Sequence, residues 1–177
     1  MINNFIKAVA FAAEKHKTQR RKDADASPYI NHPIALANVL ANEGGIANQD
    51  VLIAAILHDT IEDTETSEAE LRKVFGDKVA SLVLEVTDDK SLAPEVRKLL
   101  QIEHAAKASH GAKLVKLADK ISNLRDMLSS PPADWPKERI AKYFDWASNV
   151  IAGLRGTNAE LEKIFDGLIS EGKSRFA

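Results

Sequence analysis

The sequence of 177 residues contains no cysteine. Without thiols, the chain cannot form disulfides, bind zinc through thiolates or use a cysteine nucleophile. The absence of cysteine also fits a reducing compartment, where disulfides are rare. Disulfide scaffolds and cysteine-dependent enzymes are therefore excluded.

Long hydrophobic runs are missing as well. The longest uninterrupted apolar run is Val51–Leu57, whereas a helix that spans a bilayer needs about 20 such residues. The N-terminus lacks a basic segment followed by a long apolar stretch, so it does not resemble a signal peptide. We therefore expect no membrane association and a cytoplasmic location.

The chain carries little net charge of either sign. Its 24 lysines and arginines against 26 aspartates and glutamates give a net charge of −2, whereas general nucleic-acid binders carry a strong basic excess. We therefore expect no nucleic-acid partner. The length falls within the roughly 100–200 residues of one domain, and no linker-like segment divides it. The sequence predicts a single domain over residues 1–177.

Patterns typical of β-strands are scarce, and apolar residues recur at helical spacing along most of the chain. The sequence predicts an all-α bundle of about nine or ten helices, with room for one short β-hairpin around residues 23–26. The run Val51–Leu57 is apolar on every side, which is typical of a helix that is buried all round. We expect it to be the central helix, capped at its start by Asp50.

The segment His58–Asp63 is the most informative part of the sequence. It places four ionisable residues directly after the most apolar run: His58, Asp59, Glu62 and Asp63. Burying charge is costly unless the charge is paired or binds a metal, so one interpretation is a functional site. The alternative is that the helix reaches the surface here and that these side chains are solvated.

Two other places in the chain offer partners for this segment. His32 lies at a loop-to-helix junction, where a single histidine is more often structural than a metal ligand. Further along, polar residues share one face of a predicted helix, opposite an apolar stripe; they are Lys116, Asp119, Asn123 and Asp126. This face is either solvated or lines a wet cavity, and periodicity alone favours the solvated face.

If folding brings these three segments together, they supply two imidazoles and two carboxylates, from His32, His58, Asp59 and Asp119. Such a mixed nitrogen and oxygen set suits manganese, iron or zinc better than copper(I) or iron–sulfur clusters. Two histidine ligands also make magnesium a poorer fit. In this hypothesis Glu62 and Asp63 are surplus to the ligand set and are free to orient or deprotonate a water molecule.

A basic cluster, Arg20–Lys22, precedes His32 in the sequence. Such a cluster is usually solvated. Next to a metal site it would instead bind phosphate oxygens, through the fork of an arginine and the point charge of a lysine. The sequence contains no Walker loop and no GxGxxG motif, so phosphate recognition would depend on side chains.

The order of His32, then His58 and Asp59, then Asp119 resembles the signature of the HD-domain metal-dependent phosphohydrolases. Longer strings are more specific and are similar to the hydrolase domain of the RelA/SpoT homologues; they are Arg21–Asp23, Ser27–Pro33, Ala55–Thr64 and Val115–Arg125. The resemblance covers about residues 3–165. It is closest to the stand-alone small alarmone hydrolases of the Mesh type.

This resemblance implies an all-helical HD fold with one manganese ion, held by His32, His58, Asp59 and Asp119. It implies that the catalytic pair is Glu62 and Asp63. It also implies substrate-binding roles for Arg21, Lys22, Asn123, Arg139 and Tyr143. The sequence departs from many long family members at Asp126, where they have threonine, and this leaves the contacts near the ribose open.

From the resemblance we expect a manganese-dependent 3′-pyrophosphohydrolase that converts (p)ppGpp to GDP or GTP and pyrophosphate. One alternative is another HD phosphohydrolase, such as an NADPH phosphatase, a nucleotidase, a dNTP hydrolase or a cyclic-dinucleotide phosphodiesterase. A further alternative is a non-catalytic module that binds the alarmone, although such a module has no need of Glu62 and Asp63. The sequence does not set the oligomeric state.

Overall fold

The structure is a computed structural model that describes residues 2–23 and 25–176. Over these residues the chain forms ten α-helices and one π-helical turn. The helices are α1 (Ile2–Lys15), α2 (Asn31–Asn38), α3 (Gln49–Leu57), α4 (Thr60–Asp63), α5 (Glu68–Phe75), α6 (Asp77–Val86), α7 (Pro94–Ala105), α8 (His110–Ser129), α9 (Lys137–Ala152) and α10 (Ala159–Phe176). The π-helical turn, Val39–Glu43, continues α2 as far as Gly44. The predicted all-α class is confirmed.

The predicted central helix is α3. Apart from the half-buried Leu52, every residue of Val51–Leu57 is buried, and α3 packs against α1, α2, α6 and α8. The predicted cap was wrong, because the cap is Asn48, whose Oδ1 accepts hydrogen bonds from the backbone N–H groups of Asp50 and Val51. Asp50 lies instead in the first turn, where its negative charge interacts favourably with the positive end of the helix dipole.

The longest helix, α8, forms the other half of the core. Its apolar stripe is fully buried at Leu117, Ile121 and Leu124. The helix packs against α2, α3, α6, α9 and α10. Because α8 packs against α2 and α3, Asp119 on its polar face meets His32 at the start of α2 and His58 directly after α3.

The loop between α1 and α2 reduces the predicted hairpin to a single antiparallel bridge, between Arg20 and Pro28. Next to it, the backbone N–H of Arg21 donates to the carbonyl of Ser27 at 2.9 Å. Ala24, near the tip of the predicted hairpin, lies outside the described residues. Elsewhere in the described chain, no helix has the combination of length and apolar sequence that spanning a bilayer requires.

Candidate active site

The predicted metal ligands come together where α2, α3 and α8 meet. His32 lies in the first turn of α2, His58 follows α3 directly, and Asp119 lies in the middle of α8. Asp59 occupies the turn between α3 and α4. The two imidazoles are 4% and 5% exposed, and their ring centroids lie 5.3 Å apart.

The ligand atoms of these residues face one another. Nε2 of His58 lies 2.9 Å from Oδ2 of Asp59 and 4.0 Å from Oδ1 of Asp119. The same Asp119 oxygen lies 3.1 Å from Nε2 of His32. One ligand atom from each of His32, His58 and Asp59 lies within 4.8 Å of the other two. The structure therefore brings all four predicted residues to one point.

The hydrogen bonding of His58 leaves one ring nitrogen for a cation. Its Nδ1 lies 2.8 Å from the carbonyl oxygen of Ala55, and because a carbonyl only accepts, Nδ1 carries the proton. In the neutral ring the lone pair is then on Nε2, which is buried without a hydrogen-bond partner and faces the carboxylates. A set of acceptors that face one another fits a divalent cation bound through nitrogen and oxygen.

The electrostatics of the cluster also favour positive charge. Although burial lowers it, the carboxylates of Asp59 and Asp119 raise the pKa of His58 to about 9. Although burial raises it, the charge of Lys120 and the hydrogen bond with His32 hold the pKa of Asp119 well below its ordinary value. The cluster therefore attracts a proton or, in its place, a metal ion.

Two side chains that the sequence analysis missed hold the carboxylates in place. The hydroxyl of Tyr29 donates to Oδ2 of Asp59, and Nζ of Lys120 lies 2.9 Å from Oδ2 of Asp119. Outer contacts of this kind orient the ligands of a metal. In the sequence, Tyr29 and Lys120 each lie within three residues of a candidate ligand. This proximity is the feature from which their role could have been predicted.

The two residues of the predicted catalytic pair both lie on the short helix α4, but they line different cavities. Glu62 lines the cavity of about 170 Å³ that contains the His/Asp cluster. There its Oε2 accepts a hydrogen bond from the backbone N–H of Asp88 at 3.0 Å, and burial raises the pKa of Glu62 to about 7. Asp63 lines a wider neighbouring pocket instead, where it binds Gln19 at 2.8 Å and pairs with Lys90. Glu62 is thus placed for proton transfer at neutral pH.

The wider pocket has a volume of about 470 Å³ and lies beside the metal cavity. Four of the residues predicted to bind substrate line it: Arg21, Lys22, Asn123 and Tyr143. Arg139 lies outside this pocket, in an adjacent groove, where its guanidinium lies 4.0 Å from the centre of the Trp135 ring. Because Trp135 lines both the pocket and the groove, Arg139 lies at the rim.

Arg21 lies between the two cavities and lines both. Its guanidinium donates to Oδ1 of Asn123 at 3.0 Å and to Oδ2 of Asp126 at 2.5 Å. The polar face of α8 therefore lines a cavity, and the solvated alternative is wrong. Asp126, the departure noted in the sequence, supplies the carboxylate that holds Arg21 at this position.

Comparison with known proteins agrees with this geometry. The profile of the HD domain matches residues 8–145. A protein of Danio rerio, guanosine-3′,5′-bis(diphosphate) 3′-pyrophosphohydrolase MESH1, is 53% identical over 166 residues, which cover 94% of this chain and 92% of the relative. The chain belongs to the HD-domain family, in its MESH1 group. The predicted family is confirmed.

Two further relatives agree with this HD-domain assignment. The human protein of the same name is 51% identical over 94% of this chain and 93% of its own length. A solved structure, described as a metazoan ortholog of SpoT that hydrolyses ppGpp, matches with a TM-score of 0.93 and 49% identity, over 95% of this chain and 94% of that chain. An HD domain implies a divalent metal ion, and the His/Asp cluster matches that requirement.

Proposed function

We propose that this HD-domain protein is a 3′-pyrophosphohydrolase of guanosine tetra- and pentaphosphate, (p)ppGpp, with GDP or GTP and pyrophosphate as products. One observation carries the proposal: a buried His/Asp cluster adjoins a pocket that Arg21 and Lys22 line. Relatives that carry the name of this activity are about half identical to the chain over nearly their whole length. We further propose that residues 1–177 form one catalytic domain and that it acts in the cytoplasm.

We propose Mn²⁺ as the metal ion, with His32, His58, Asp59 and Asp119 as the residues that hold it. Two imidazoles and two carboxylates suit manganese, and the same set accommodates iron or zinc. When bound, such an ion neutralises charge on phosphate oxygens and lowers the pKa of water.

The reaction adds one water molecule across the bond between the ribose 3′ oxygen and phosphorus. The water oxygen bonds to phosphorus, the bond from phosphorus to the 3′ oxygen breaks, and that oxygen takes up a proton. Glu62 lies in the metal cavity with a pKa of about 7, which suits it to accept the proton of the water. Arg21 contributes positive charge where the diphosphate enters, and its fork geometry suits phosphate oxygens.

The guanosine part of the substrate fits the wider pocket. Its volume of about 470 Å³ falls within the roughly 300–1,000 Å³ of small-molecule sites. Tyr143 and Trp135 contribute aromatic surface to its wall. We propose that the 3′-diphosphate occupies the metal cavity and the nucleoside the pocket, with Arg21 between them; its presence in the wall of both cavities supports this arrangement.

The test is a substrate panel on metal-stripped protein restored with Mn²⁺, Zn²⁺ or Mg²⁺. We expect Mn²⁺ to restore release of pyrophosphate and GDP from ppGpp, measured by phosphorus NMR. NADPH, a deoxynucleoside triphosphate, a nucleoside monophosphate and a cyclic dinucleotide complete the panel. Turnover of one of these without turnover of ppGpp would identify a different HD phosphohydrolase, and tight ppGpp binding without products would identify a binding module.

We expect Arg21→Ala to lower kcat/KM for ppGpp by roughly ten- to a hundredfold. A charge-assisted contact to phosphate is worth about 1.5–3 kcal/mol, and each 1.4 kcal/mol is about tenfold. The metal content should stay unchanged, because the hydrogen bonds of Arg21 go to Asn123 and Asp126 and not to the four candidate ligands. Lys22→Ala should have a smaller effect, since Lys22 is exposed.

The matched control for Arg21 is Arg125→Ala. Arg125 pairs with Glu43 at 2.7 Å, away from both cavities, and we expect wild-type kinetics. Asp126→Asn removes the charge that holds Arg21 and should reproduce part of the Arg21→Ala defect. Wild-type kcat/KM in both Arg21→Ala and Lys22→Ala would place the basic cluster outside the diphosphate site.

A further inference from the structure

The metal cavity has cationic side chains in its wall, and most of them already have an ionic partner. Arg21 pairs with Asp126 at 2.5 Å, and Lys120 pairs with Asp119 at 2.9 Å. Lys116 lines the same cavity. Within the described part of the chain, Lys116 forms neither a side-chain hydrogen bond nor an ion pair within 4.0 Å.

The surroundings of Lys116 make this arrangement unusual. Its residue is 8% exposed, and it lies on α8 three positions before Asp119, on the same face of the helix. Burial and the neighbouring charge of Lys120 lower the pKa of Lys116, against the opposing charges of Asp88, Asp119 and Glu62. An anionic ligand in the cavity would favour the charged, ammonium form of this side chain.

The carboxylates that act electrostatically on Lys116 have other partners, and that of Asp119 pairs with Lys120. Oδ2 of Asp88 accepts from Nε2 of Gln101 at 2.5 Å. Glu62 accepts from the backbone of Asp88 at 3.0 Å and lies 3.7 Å from the guanidinium of Arg97. Among the described residues, the ammonium group of Lys116 therefore has no carboxylate within ion-pair distance, and its side chain lines the metal cavity.

We propose that Lys116 is a further catalytic residue, whose ammonium group binds an oxygen of the phosphoryl group that water attacks. The proposal rests on the proposed function. The cavity volume of about 170 Å³ is below the roughly 300–1,000 Å³ of pockets for larger ligands, so it suits a phosphoryl group rather than a nucleoside. An ammonium group fixed in this small site stabilises the negative charge of the phosphoryl oxygens during hydrolysis.

Lys116→Met tests this role, because methionine keeps most of the side-chain volume without the charge. We expect the affinity of the Mn²⁺-loaded protein for inorganic pyrophosphate, measured by calorimetry, to fall about ten- to a hundredfold. We expect kcat for ppGpp to fall at least as much, while metal content is unchanged. The matched control is Lys113→Met, one turn earlier on α8 and outside both cavities, which should behave as wild type.

A second variant keeps the test decisive if Lys116→Met folds poorly. The chain has no cysteine, so Lys116→Cys carries the single thiol, and alkylation with 2-bromoethylamine returns an ammonium group at nearly the same distance from the backbone. We expect Lys116→Cys to be impaired and the alkylated protein to recover pyrophosphate affinity and turnover. A side chain that only fills space would not recover on alkylation.

The outcomes separate this inference from the proposed function. If wild-type protein binds pyrophosphate through Lys116 but does not hydrolyse ppGpp, the proposed function fails and the phosphoryl site stands. If Lys116→Met binds pyrophosphate and hydrolyses ppGpp as wild type does, the inference alone is wrong. Loss of the metal in Lys116→Met, or no recovery after alkylation, would also overturn it in favour of a structural role.

Discussion

Asp59→Ala is expected to remain folded but to lose both stoichiometric metal and measurable hydrolysis of ppGpp. Oδ2 of Asp59 lies 2.9 Å from Nε2 of His58, so alanine removes a charged acceptor from the centre of the cluster. Although burial opposes ionisation, His58 holds the pKa of Asp59 well below its ordinary value, and the carboxylate is charged at neutral pH. The fold should persist, because the apolar core of α3 and α8 does not involve this side chain.

Two control variants define the scale of that effect. Tyr29→Phe removes only the hydroxyl that binds Asp59, and we expect it to cost the roughly 10–100-fold in metal affinity or activity that is typical of outer contacts. Asp134→Ala changes an exposed aspartate and should have no effect. Elemental analysis, steady-state kinetics and thermal unfolding of the three variants measure these outcomes. Stoichiometric metal in Asp59→Ala would show that Asp59 is not a ligand.

The two core helices could be predicted because their sequences allow one interpretation each. The run Val51–Leu57 has no polar face to expose, and α8 carries an apolar stripe that must be buried. The end of a helix is less certain from sequence. Asn48 and Asp50 are both good caps, and only the backbone path selects Asn48. The π-helical turn at Val39–Glu43 was missed, because an i→i+5 bond leaves little trace in side-chain pattern.

The candidate ligands could be predicted, whereas most of their partners could not. His58 and Asp59 are adjacent in the sequence, His32 and Asp119 were possible partners, and the resemblance to a known family implied all four as ligands. In contrast, the pairing of Arg21 with Asp126 joins residues 105 positions apart. Periodicity tells which residues share a face of a helix, but not which distant element that face meets. For the same reason, the sequence did not show that Lys116 lies in the cavity wall without an ionic partner among the described residues.

The separation of Glu62 from Asp63 follows from helix geometry. Consecutive residues of a helix point about 100° apart, so the two carboxylates leave α4 in different directions. Glu62 faces the metal cavity, and Asp63 faces the wider pocket. This geometry gives the two residues different expected roles, although the sequence presents them as a pair.

Glu62→Gln is expected to keep the metal and to lose about 10²–10⁴-fold in kcat, the scale of a lost acid–base group. Glutamine keeps the size of the side chain and still accepts a hydrogen bond from the backbone of Asp88. Burial raises the pKa of Glu62 to about 7, and a bound cation lowers it from there. If Glu62 acts as a base, wild-type kcat rises with pH as Glu62 ionises, and this limb of the profile disappears in Glu62→Gln.

Asp63→Asn is the matched comparison, and we expect it to keep both the metal and the pH limb. Its loss in kcat, about 10²-fold as for a misplaced catalytic group, should come from the loss of its contacts with Gln19 and Lys90, while Glu62 remains in place. Metal content and kcat profiles between about pH 5 and pH 9 distinguish the two variants. If Glu62→Gln loses the metal, Glu62 is a ligand rather than a base. If Glu62→Gln retains the limb and Asp63→Asn loses it, the proton passes through Asp63, and the wider pocket rather than the metal cavity contains the base.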